Sequence, residues 1–434
     1  MAARVIHPQA GQALVLGMLM AALLSVAALH YFSAGRILAA KSRQVHGLDA
    51  AAYSGALVQA RALNLLAYLN RAQVAHQLAM AHMVTLGSWA MYGGTQAGRL
   101  ARGNPPAHLI GMLFGADYGR AYTAAARASG LDVQAGTTGA LAQAHAAHNR
   151  FVQDLYRGLS SDVVRGLPKA RRAAIHAVLA AHYPDQQISD DSVAIVSDDW
   201  PGFVRRFAPE AQFRPLVSQV VGMYDFLDPR NDTAENSWAV SHRCPHLRHQ
   251  LRRRGGTRMD GAGRWQSFDT QSYHALRSNR WIGCYYREYV MGWAWIPGEA
   301  SQVMDGAYTD DAPDNFSKQD FWRWVEEATQ WDLLDGHDNP LANSYAMRGR
   351  AAWPGDGLAA YYDVSADKAD AAPSFSVAFT QPGPKELAIH ARSAARTYFA
   401  RPDPRSDGRH ERPNLFHPYW HAALAPVRAQ AGRP

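Results

Sequence analysis

A chain of 434 residues in which 47% are hydrophobic and 10% aromatic has a globular composition, which excludes a wholly disordered protein. Its length predicts a large core and two domains or more. The net charge of +7 favours ordinary solubility, with a polyanion such as DNA, anionic lipid or cell-wall polymer as the alternative partner. Two cysteines, Cys244 and Cys284, are too few for a disulfide framework, and they leave open one disulfide or two buried thiols.

The first informative segment is an apolar stretch from Gly11 to Gly35 that contains no Asp, Glu, Lys or Arg. As a helix it would be about 37 Å long, which exceeds the roughly 30 Å hydrocarbon core of a bilayer. We interpret it as a retained membrane anchor. The alternatives are a cleaved secretory signal, with Ser25-Val26-Ala27 or Ser33-Ala34 at its cleavage site, and a prepilin-like leader cut after Gly11. Prepilins usually carry Glu five residues after the cut, whereas this chain has Leu16 there.

The charges beside the apolar stretch bear on its orientation. Arg36, Lys41 and Arg43 follow it, and only Arg4 and the amino terminus precede it. The positive-inside rule therefore favours a cytoplasmic body, although long translocated domains often override this rule.

A long helix is predicted over residues 36–92, ended by Gly93-Gly94. Its apolar residues recur on one face, which we call the apolar stripe: Leu38, Val45, Leu48, Ala52, Gly55, Ala62, Leu66, Leu69 and Met83. The stripe could pack on a partner helix, but we favour packing within the chain. Residues 107–130 and 139–158 also have helical periodicity, and Ser160-Ser161-Asp162 is a candidate N-cap for a helix centred on 169–182.

The pattern changes after residue 190. Short β-like runs alternate with turn residues over Val193–Val196, Gln212–Val221, Arg264–Leu276 and Tyr285–Trp295. Nine residues from Trp265 to Trp295 are aromatic, which is typical of a sheet core and is also compatible with an exposed polymer-binding platform. A hydrophobic strand and turn are predicted at Ile296-Pro297, and a Trp-rich helix over Phe321–Trp331. Strands are predicted over Leu358–Val364 and Ser374–Thr380, and residues 385–400 could form a strand or a helix. The last fifty residues are rich in Pro and Arg and predict an irregular tail.

Four segments carry a family resemblance. Gly11–Leu16 followed by Asp49-Ala50-Ala51-Ala52-Tyr53-Ser54-Gly55-Ala56 resembles the N-terminal region of the TadG-like proteins of the Flp/Tad pilus assembly system. Ala395–Pro402 with Asn414–Trp420 resembles the closing segment of longer bacterial proteins that share this N-terminus. Ser267–His274 and Gly357–Val364 resemble two internal segments of Tad-associated proteins. The resemblance implies a bacterial inner-membrane protein, single-pass with a periplasmic body, whose partners are other pilus-assembly or secretion proteins of the inner membrane and periplasm.

The sequence contains no phosphate-binding G-x-x-x-x-G-K-[ST], no H-E-x-x-H, no C-x-x-C and no G-x-S-x-G. Asp269 and His274, with Ser267 or Ser272, could form a Ser/His/Asp set. Two residues five apart on a strand face opposite sides, however, so a local Asp/His pair that fixes a turn is the favoured interpretation.

Two metal sites and one nucleic-acid site are weaker candidates. His242, Cys244, His246 and His249 offer zinc-type ligands, but Pro245 breaks a regular spacing and Arg243 and Arg248 repel a cation. Asp363-Val364-Ser365-Ala366-Asp367 resembles the D-x-S-x-S metal-adhesion motif, although its last position is Asp and a turn at a strand end explains it equally. The arginine run, which we define as Arg243, Arg248, Arg252–Arg254, Arg258 and Arg264, could bind single-stranded nucleic acid, but we expect a solvated loop.

The sequence therefore predicts an α+β protein. The expected regions are 1–35 with a single transmembrane helix, a helical region over 36–185, a mixed body over 186–400 and an irregular tail over 401–434. We expect a membrane-anchored accessory protein of Flp/Tad-type pilus assembly that contacts lipid through residues 11–35, and no enzyme, cofactor, metal or nucleic-acid partner. The alternatives are an envelope hydrolase that uses Asp269 and His274, and a polymer-binding module that uses the aromatic residues of 265–295.

Overall fold

The computed structural model describes residues 10–185, 187–209, 212–279, 283–296, 353, 355–368, 371–384 and 387–427. The chain is α+β, as predicted, with a long N-terminal helix followed by antiparallel sheets. The Trp-rich helix expected over Phe321–Trp331 and the turn expected at Pro297 lie outside the described residues.

Helix α1 extends without a break from Ala10 to Ala101. The prediction that Gly93-Gly94 ends it is wrong. A Cβ at Gly93 would lie 2.8 Å from the Ala128 Cβ, and one at Gly94 would lie 2.7 Å from the Asp132 Cβ. The lack of side chains at these two glycines therefore lets Ala128 and Asp132 pack closely against α1, which continues past them. The helix ends before Gly103, whose φ of +62° suits the left-handed conformation that follows many helices.

Among the described residues, six shorter α-helices follow α1. They are α2 (Ala107–Phe114), α3 (Ala116–Ala124), α4 (Asp132–Ala135), α5 (Ala140–Arg150), α6 (Arg157–His182) and α7 (Phe213–Val221). A π-helical turn over Phe151–Tyr156 joins α5 to α6. Helix α6 ends before Pro184 as predicted, but it begins twelve residues before Lys169, so Ser160-Ser161-Asp162 lies within the helix and is not its N-cap.

Ten strands are described. They are β1 (Val193–Asp198), β2 (Val204–Phe207), β3 (Asp232–Glu235), β4 (Gln250–Met259), β5 (Trp265–Asn279), β6 (Gly283–Ile296), β7 (Tyr361–Val364), β8 (Ser374–Pro382), β9 (Ala388–Phe399) and β10 (Trp420–Ala425). Antiparallel sheets have the orders β1-β8-β9-β10 and β3-β4-β5-β6, and β2 pairs with β7.

Three local predictions differ from the structure. Gln212–Val221 contains helix α7, because Phe213, Val217 and Val221 recur every four residues and are all buried on one face. Residues 252–254 and 258 of the arginine run lie on strand β4. Strand β10 lies within the segment predicted to be an irregular tail.

The chain forms two compact units. Unit 1 comprises Met1–Asn70, Ser160–Arg206 and Tyr362–Pro434, and unit 2 comprises Arg71–Leu159 and Phe207–Tyr361. The region boundaries expected at residues 35, 185 and 400 remain predictions. The core of unit 1 lies between α1, α6 and the β1-β8-β9-β10 sheet, and it contains Leu48, Ala52, Ala56, Ile175, Leu179, Phe375, Val377 and Phe379.

Unit 2 packs helices against the β3-β4-β5-β6 sheet. Its described core contains Ile110 and Leu113 of α2, Tyr122 of α3 and the strand residues Leu251, Tyr273, Ala275 and Met291. Met291 is also the extra residue of a bulge on β6, because Gln271 pairs with Gly292 and Ser272 pairs with Val290. Strand β5 is regular through this point, so its residues alternate between the two faces of the sheet.

Candidate functional site

The N-terminal part of α1 is an exposed apolar surface. Leu16, Leu19, Leu23 and Leu29 are all more than 60% exposed, as are most of the large apolar residues around them. Among the described residues, α1 is long and apolar enough to cross a membrane by length and composition. An exposed apolar surface of this size is typical of a segment that contacts lipid or another protein.

From Val45 to Leu69, the apolar stripe of α1 packs within the chain in unit 1, as predicted. Ala52 and Leu66 are almost completely buried, whereas Leu38, at the edge of the apolar stretch, is 71% exposed. At Gly55, α1 comes close to its neighbours, since a Cβ there would lie 3.0 Å from the Phe375 Cζ and 3.1 Å from the Ile175 Cδ1. The small side chain at this position allows α1 to approach both the sheet and α6.

Polar side chains of α1 bind the backbone of the unit 1 sheet. The Gln44 amide donates to the carbonyls of Phe379 and Ile389, both at 3.0 Å. Asn64 donates to the Trp420 carbonyl and accepts from the Trp420 N–H, again at 3.0 Å. These contacts satisfy backbone groups of β8, β9 and β10 and fix the register between helix and sheet.

Residues of three of the resembling segments meet in unit 1. Asp49 accepts a hydrogen bond from the Ser393 hydroxyl at 2.6 Å, two residues before the segment that begins at Ala395. Asn70 of α1 donates to the carbonyls of Tyr362, at 2.8 Å, and Leu415, at 2.6 Å. The Asp363 carboxylate accepts the Leu415 N–H at 2.8 Å. Segments that lie at opposite ends of the sequence therefore form one structural unit.

Asp269 is the centre of a buried charged cluster in unit 2. Its carboxylate accepts hydrogen bonds from Arg230 Nε at 2.9 Å, Arg253 at 2.7 Å and the Ser88 hydroxyl at 2.6 Å. The Asp269 side chain is 0% exposed, so these three donors replace its hydration. The Arg253 guanidinium also lies 3.8 Å from the centre of the Tyr92 ring. Both oxygens of the Asp269 carboxylate are therefore occupied by hydrogen-bond donors of the protein.

The candidate Ser/His/Asp set is divided between the two faces of β5. Ser267 and Asp269 lie on the face that receives Ser88 of α1, and Ser267 accepts a hydrogen bond from Arg230 at 3.0 Å. Ser272 and His274 lie on the opposite face, as the spacing of five residues predicts. Burial lowers the pKa of His274 well below its usual value, and the charges of Arg252 and Arg254 lower it further. The described arrangement does not bring Asp269 and His274 together. They lie on opposite faces of one continuous strand, so the expected hydrogen-bonded Asp/His pair that fixes a turn is wrong.

The His/Cys segment forms a covalent cross-link. Cys244 and Cys284 are joined in a disulfide, so Cys244 supplies no thiolate ligand. The Nδ1 atom of His249 accepts the Leu276 N–H at 2.9 Å. Burial, with a smaller effect from the charge of Arg277, lowers the His249 pKa to about 4. The described part of this segment therefore acts in the structure as a cross-linked connection to β4.

The Asp363–Asp367 motif begins in the last two residues of β7 and continues into the turn that follows the strand. Asp363 Oδ1 accepts the N–H groups of Val364 and Leu415, each at 2.8 Å, and the Ser365 hydroxyl donates to Asp367 at 2.6 Å. Burial raises the Asp363 pKa, while the two backbone bonds oppose this effect. Among the described residues, no three His, Cys, Asp or Glu side chains converge on a metal position.

The arginine run is structured, and the expected solvated loop is wrong for its central part. On β4, Arg252 is 1% exposed, and its guanidinium donates two hydrogen bonds, of 2.6 and 2.8 Å, to the side-chain oxygen of Gln250. Arg253, on the other face, binds Asp269. These arginines have protein partners because the strand alternation directs them into the two faces of the sheet.

The aromatic residues of β5 and β6 are largely internal. Trp265, Tyr273, Tyr286 and Trp295 are each less than 9% exposed. The Trp265 indole donates to the Gln77 side chain of α1 at 2.9 Å. Their burial favours the sheet-core interpretation over an exposed platform for these four rings.

A histidine pair was not predicted from the sequence. His76 Nδ1 and His148 Nδ1 lie 2.7 Å apart, and His76 Nε2 lies 3.0 Å from the Tyr156 hydroxyl. Burial lowers the pKa of both histidines, and the charge of His148 lowers the His76 pKa further. His148 and Tyr156 flank the π-helical turn over Phe151–Tyr156, a type of irregularity that often accompanies functional positions. Since the two histidines are 72 residues apart, no local pattern indicates their contact.

Comparisons with known proteins give no match. No protein-family model matches the chain, and neither a curated protein nor a solved structure is significantly similar to it.

Proposed function

We propose that this chain is a membrane-anchored accessory protein of Flp/Tad-type pilus assembly, or of the linked secretion machinery, and that it acts by binding other proteins. One observation carries the proposal. The exposed apolar part of α1 continues without a break into the buried apolar stripe of unit 1. A body attached in this way is held at a fixed height above the bilayer, which suits a scaffold better than a freely diffusing enzyme.

The Tad assignment depends on the resembling segments. Asp49 and Asp363, which lie in two of these segments, bind residues in or beside a third, so they contribute to the folding of unit 1. A family whose shared residues build a common body, and not a reactive centre, fits a role in assembly.

The proposed location is the inner membrane, with the body in the periplasm. The disulfide between Cys244 and Cys284 supports an oxidising compartment, because structural disulfides are rare in the bacterial cytoplasm. The positive residues Arg36, Lys41 and Arg43 argue for the opposite orientation, so the orientation must be measured directly.

The decisive experiment is complementation of a gene deletion in the source bacterium. The full chain and a chain lacking residues 1–35 are expressed, and the readouts are surface pili, membrane fractionation and co-purification of crosslinked envelope proteins. We expect the full chain to resist carbonate extraction and restore pili, and the shortened chain to be released and fail. Normal pili in the deletion strain would refute the pilus role, and a soluble, N-terminally shortened product would show that residues 11–35 are a cleaved signal.

The envelope-hydrolase alternative is tested in the same strain. His274→Gln and Ser272→Ala change the β5 face that carries His274 without removing the ion cluster on the other face. If either variant abolished function at normal protein level and normal thermal stability, the enzymatic alternative would replace our proposal.

A further inference from the structure

Strand β10 forms one edge of the unit 1 sheet, whose order is β1-β8-β9-β10. Trp420 pairs with Phe399 of β9, but its N–H and carbonyl point away from β9 and bind the Asn64 side chain, both at 3.0 Å. Backbone groups alternate in direction along an antiparallel strand. The N–H and carbonyl groups of Ala422 and Leu424 therefore also point away from β9, and no described strand pairs with them.

The free part of this edge is short and has defined ends. At one end, Asn64 occupies the backbone groups of Trp420. At the other end, Pro426, which has no N–H group, follows the last residue of the strand. A strand added to this edge would find one donor and one acceptor at each of Ala422 and Leu424.

Strand β10 lacks the features that usually protect an exposed edge. It contains no Lys, Arg, Asp, Glu or Pro. Leu424 is 48% exposed, although Ala422 on the same face packs against the core of unit 1. At the opposite edge of the sheet, β1 has a bulge between Ile195 and Ser197, and bulges and charged residues commonly prevent further pairing. Of the two edges, β10 is therefore the one open to another strand.

Helix α1 forms one side of the β10 edge. Tyr53 and Leu57 precede Asn64 by eleven and seven residues, so the three side chains lie on one face of the helix. The hydrogen bonds of Asn64 hold this face beside β10. Tyr53 is 43% exposed, and Leu57 is partly exposed. A segment paired with β10 would place alternate side chains beside Leu424 and these apolar residues.

The charges near the edge favour an acidic occupant. Strands β9 and β10 contain no Asp or Glu, whereas Arg392 and Arg396 of β9 are exposed. Arg396 lies directly opposite Ala423, whose small side chain leaves room for the guanidinium to extend over β10. On the helix, Arg61 is also exposed and lies three residues before Asn64. These arginines would attract acidic side chains on the segment that pairs with β10.

The direction of α1 argues against a second copy of the chain on this edge. Gln44 binds Ile389 and Gln59 binds Thr397, so α1 runs in the same direction as β9 and opposite to β10. Antiparallel pairing of two β10 strands requires a two-fold axis perpendicular to the strands, which would point the two α1 helices in opposite directions. Two chains anchored in one bilayer cannot adopt this arrangement. Parallel pairing about an axis along the strands would place each donor opposite a donor.

We propose that the β10 edge, formed by Ala422 and Leu424 beside Tyr53 and Leu57 of α1, binds an extended segment of a partner protein as an additional strand. The segment alternates apolar side chains, which face Leu424 and α1, with acidic side chains, which face Arg396. This inference rests on the proposed function and deepens it, because it names the surface and the kind of partner through which such an accessory protein acts.

The test uses the full chain in phosphatidylcholine nanodiscs and a fluorescein-labelled seven-residue peptide in which valine and glutamate alternate. Fluorescence anisotropy measures the Kd of the peptide, and empty nanodiscs give the background. A second peptide has the same side chains and methylated backbone nitrogens, so it cannot donate hydrogen bonds to a strand. We expect saturable binding of the first peptide and binding of the second that is weaker by about tenfold or more.

Two variants change the edge in different ways. Ala422→Pro removes an N–H that points away from β9, so the pairing with β9 is retained. Leu424→Lys retains every backbone group and adds a charge to the edge. We expect Ala422→Pro to weaken binding by about tenfold, and Leu424→Lys to weaken it by about threefold although lysine attracts glutamate. Leu131→Lys, at a residue with a similar exposure of 47%, is the matched control and should bind normally.

Each other outcome is decisive. Undiminished binding by both edge variants, equal binding of the methylated peptide, or no saturable binding of the first peptide would overturn the strand addition. A dimer in nanodiscs that Leu424→Lys dissociates would place a second copy on the edge and would also overturn it. If the peptide test fails and the full chain still restores pili, only this inference is lost. If the peptide binds as expected and the full chain does not restore pili, only the proposed function is lost.

Discussion

Asp269→Asn is expected to destabilise unit 2 strongly without any catalytic effect. The substitution removes the charge that Arg230 and Arg253 share, at 2.9 and 2.7 Å, and leaves two guanidinium groups facing a neutral amide. Breaking a buried ion pair typically costs about 3–5 kcal/mol. The two arginine side chains retain 16% and 23% exposure, which provides some solvation, so we expect the lower value of about 3 kcal/mol. For a unit of this size, such a loss lowers Tm by about 6–12 °C.

The assay is thermal unfolding of the full chain in detergent micelles at one scan rate, for a double-mutant cycle. Arg253→Gln alone leaves the pair of Arg230 with Asp269 and should cost less than Asp269→Asn. Arg253→Gln in the Asp269→Asn background removes a like charge, so the double variant should be more stable than the sum of the single effects by at least about 1 kcal/mol. Asp117→Asn is the matched control, because its ion pair with Arg120 is exposed and should be worth less than about 1 kcal/mol.

An additive cycle would refute this reasoning, since it would mean that the three charges do not act as one cluster. A loss of the proposed function in Arg253→Gln at normal Tm would also contradict a purely structural role for the cluster.

Three further outcomes are expected. Gly55→Leu should lower the free energy of unfolding by about 1–3 kcal/mol, because the new side chain overpacks against Phe375 and Ile175. Gly98→Ala is the control: nothing lies within 4 Å of a Cβ there, so helix propensity should raise stability by up to about 1 kcal/mol, and equal Tm shifts in the two variants would contradict the packing at Gly55. Thiol labelling of denatured, unreduced protein should leave both cysteines unlabelled, and reduction should remove about 3–4 kcal/mol through the loop of 40 residues; full labelling without reductant would exclude the disulfide. Burial lowers the pKa of His76 and His148 below 6.5 in the folded protein, so the unfolded protein binds more protons than the folded protein as the pH falls, and Tm should decrease from pH 7 to pH 5. His148→Gln should make this decrease smaller, and an unchanged dependence of Tm on pH would contradict the contact between the two histidines.

The periodic parts of the fold could be predicted from the sequence. The apolar stripe predicts the long helix and its packing within the chain, and the spacing of Asp269 and His274 predicts their separation on β5. These successes share a cause, since each depends on a repeat within one element. The orientation of a helix face or strand face is encoded locally, and tertiary contacts did not reverse it.

The errors occurred where a local signal had two explanations. Gly93-Gly94 was interpreted as a helix end, but its function is close approach to Ala128 and Asp132. The arginines of β4 were expected in solvent because the partners that accept their charge, above all Asp269, follow later in the chain. The pair of His76 and His148 required knowledge of which helices pack together. Contacts of this kind depend on the whole fold and leave no local pattern.

The order of segments in unit 1 has a consequence for biosynthesis. Asn64 and its backbone partner Trp420 are 356 residues apart, and β10 ends at Ala425 in a chain of 434 residues. The sheet therefore cannot be completed until the ribosome has added the 356 residues from Asn64 to Trp420, and in the meantime Leu48, Ala52 and Ala56 have no sheet to cover them. Folding that waits for such distant contacts is slow and exposed to aggregation. We expect the nascent chain to need a holding chaperone, and a stop codon that removes strand β10 to remove the protein from the cell.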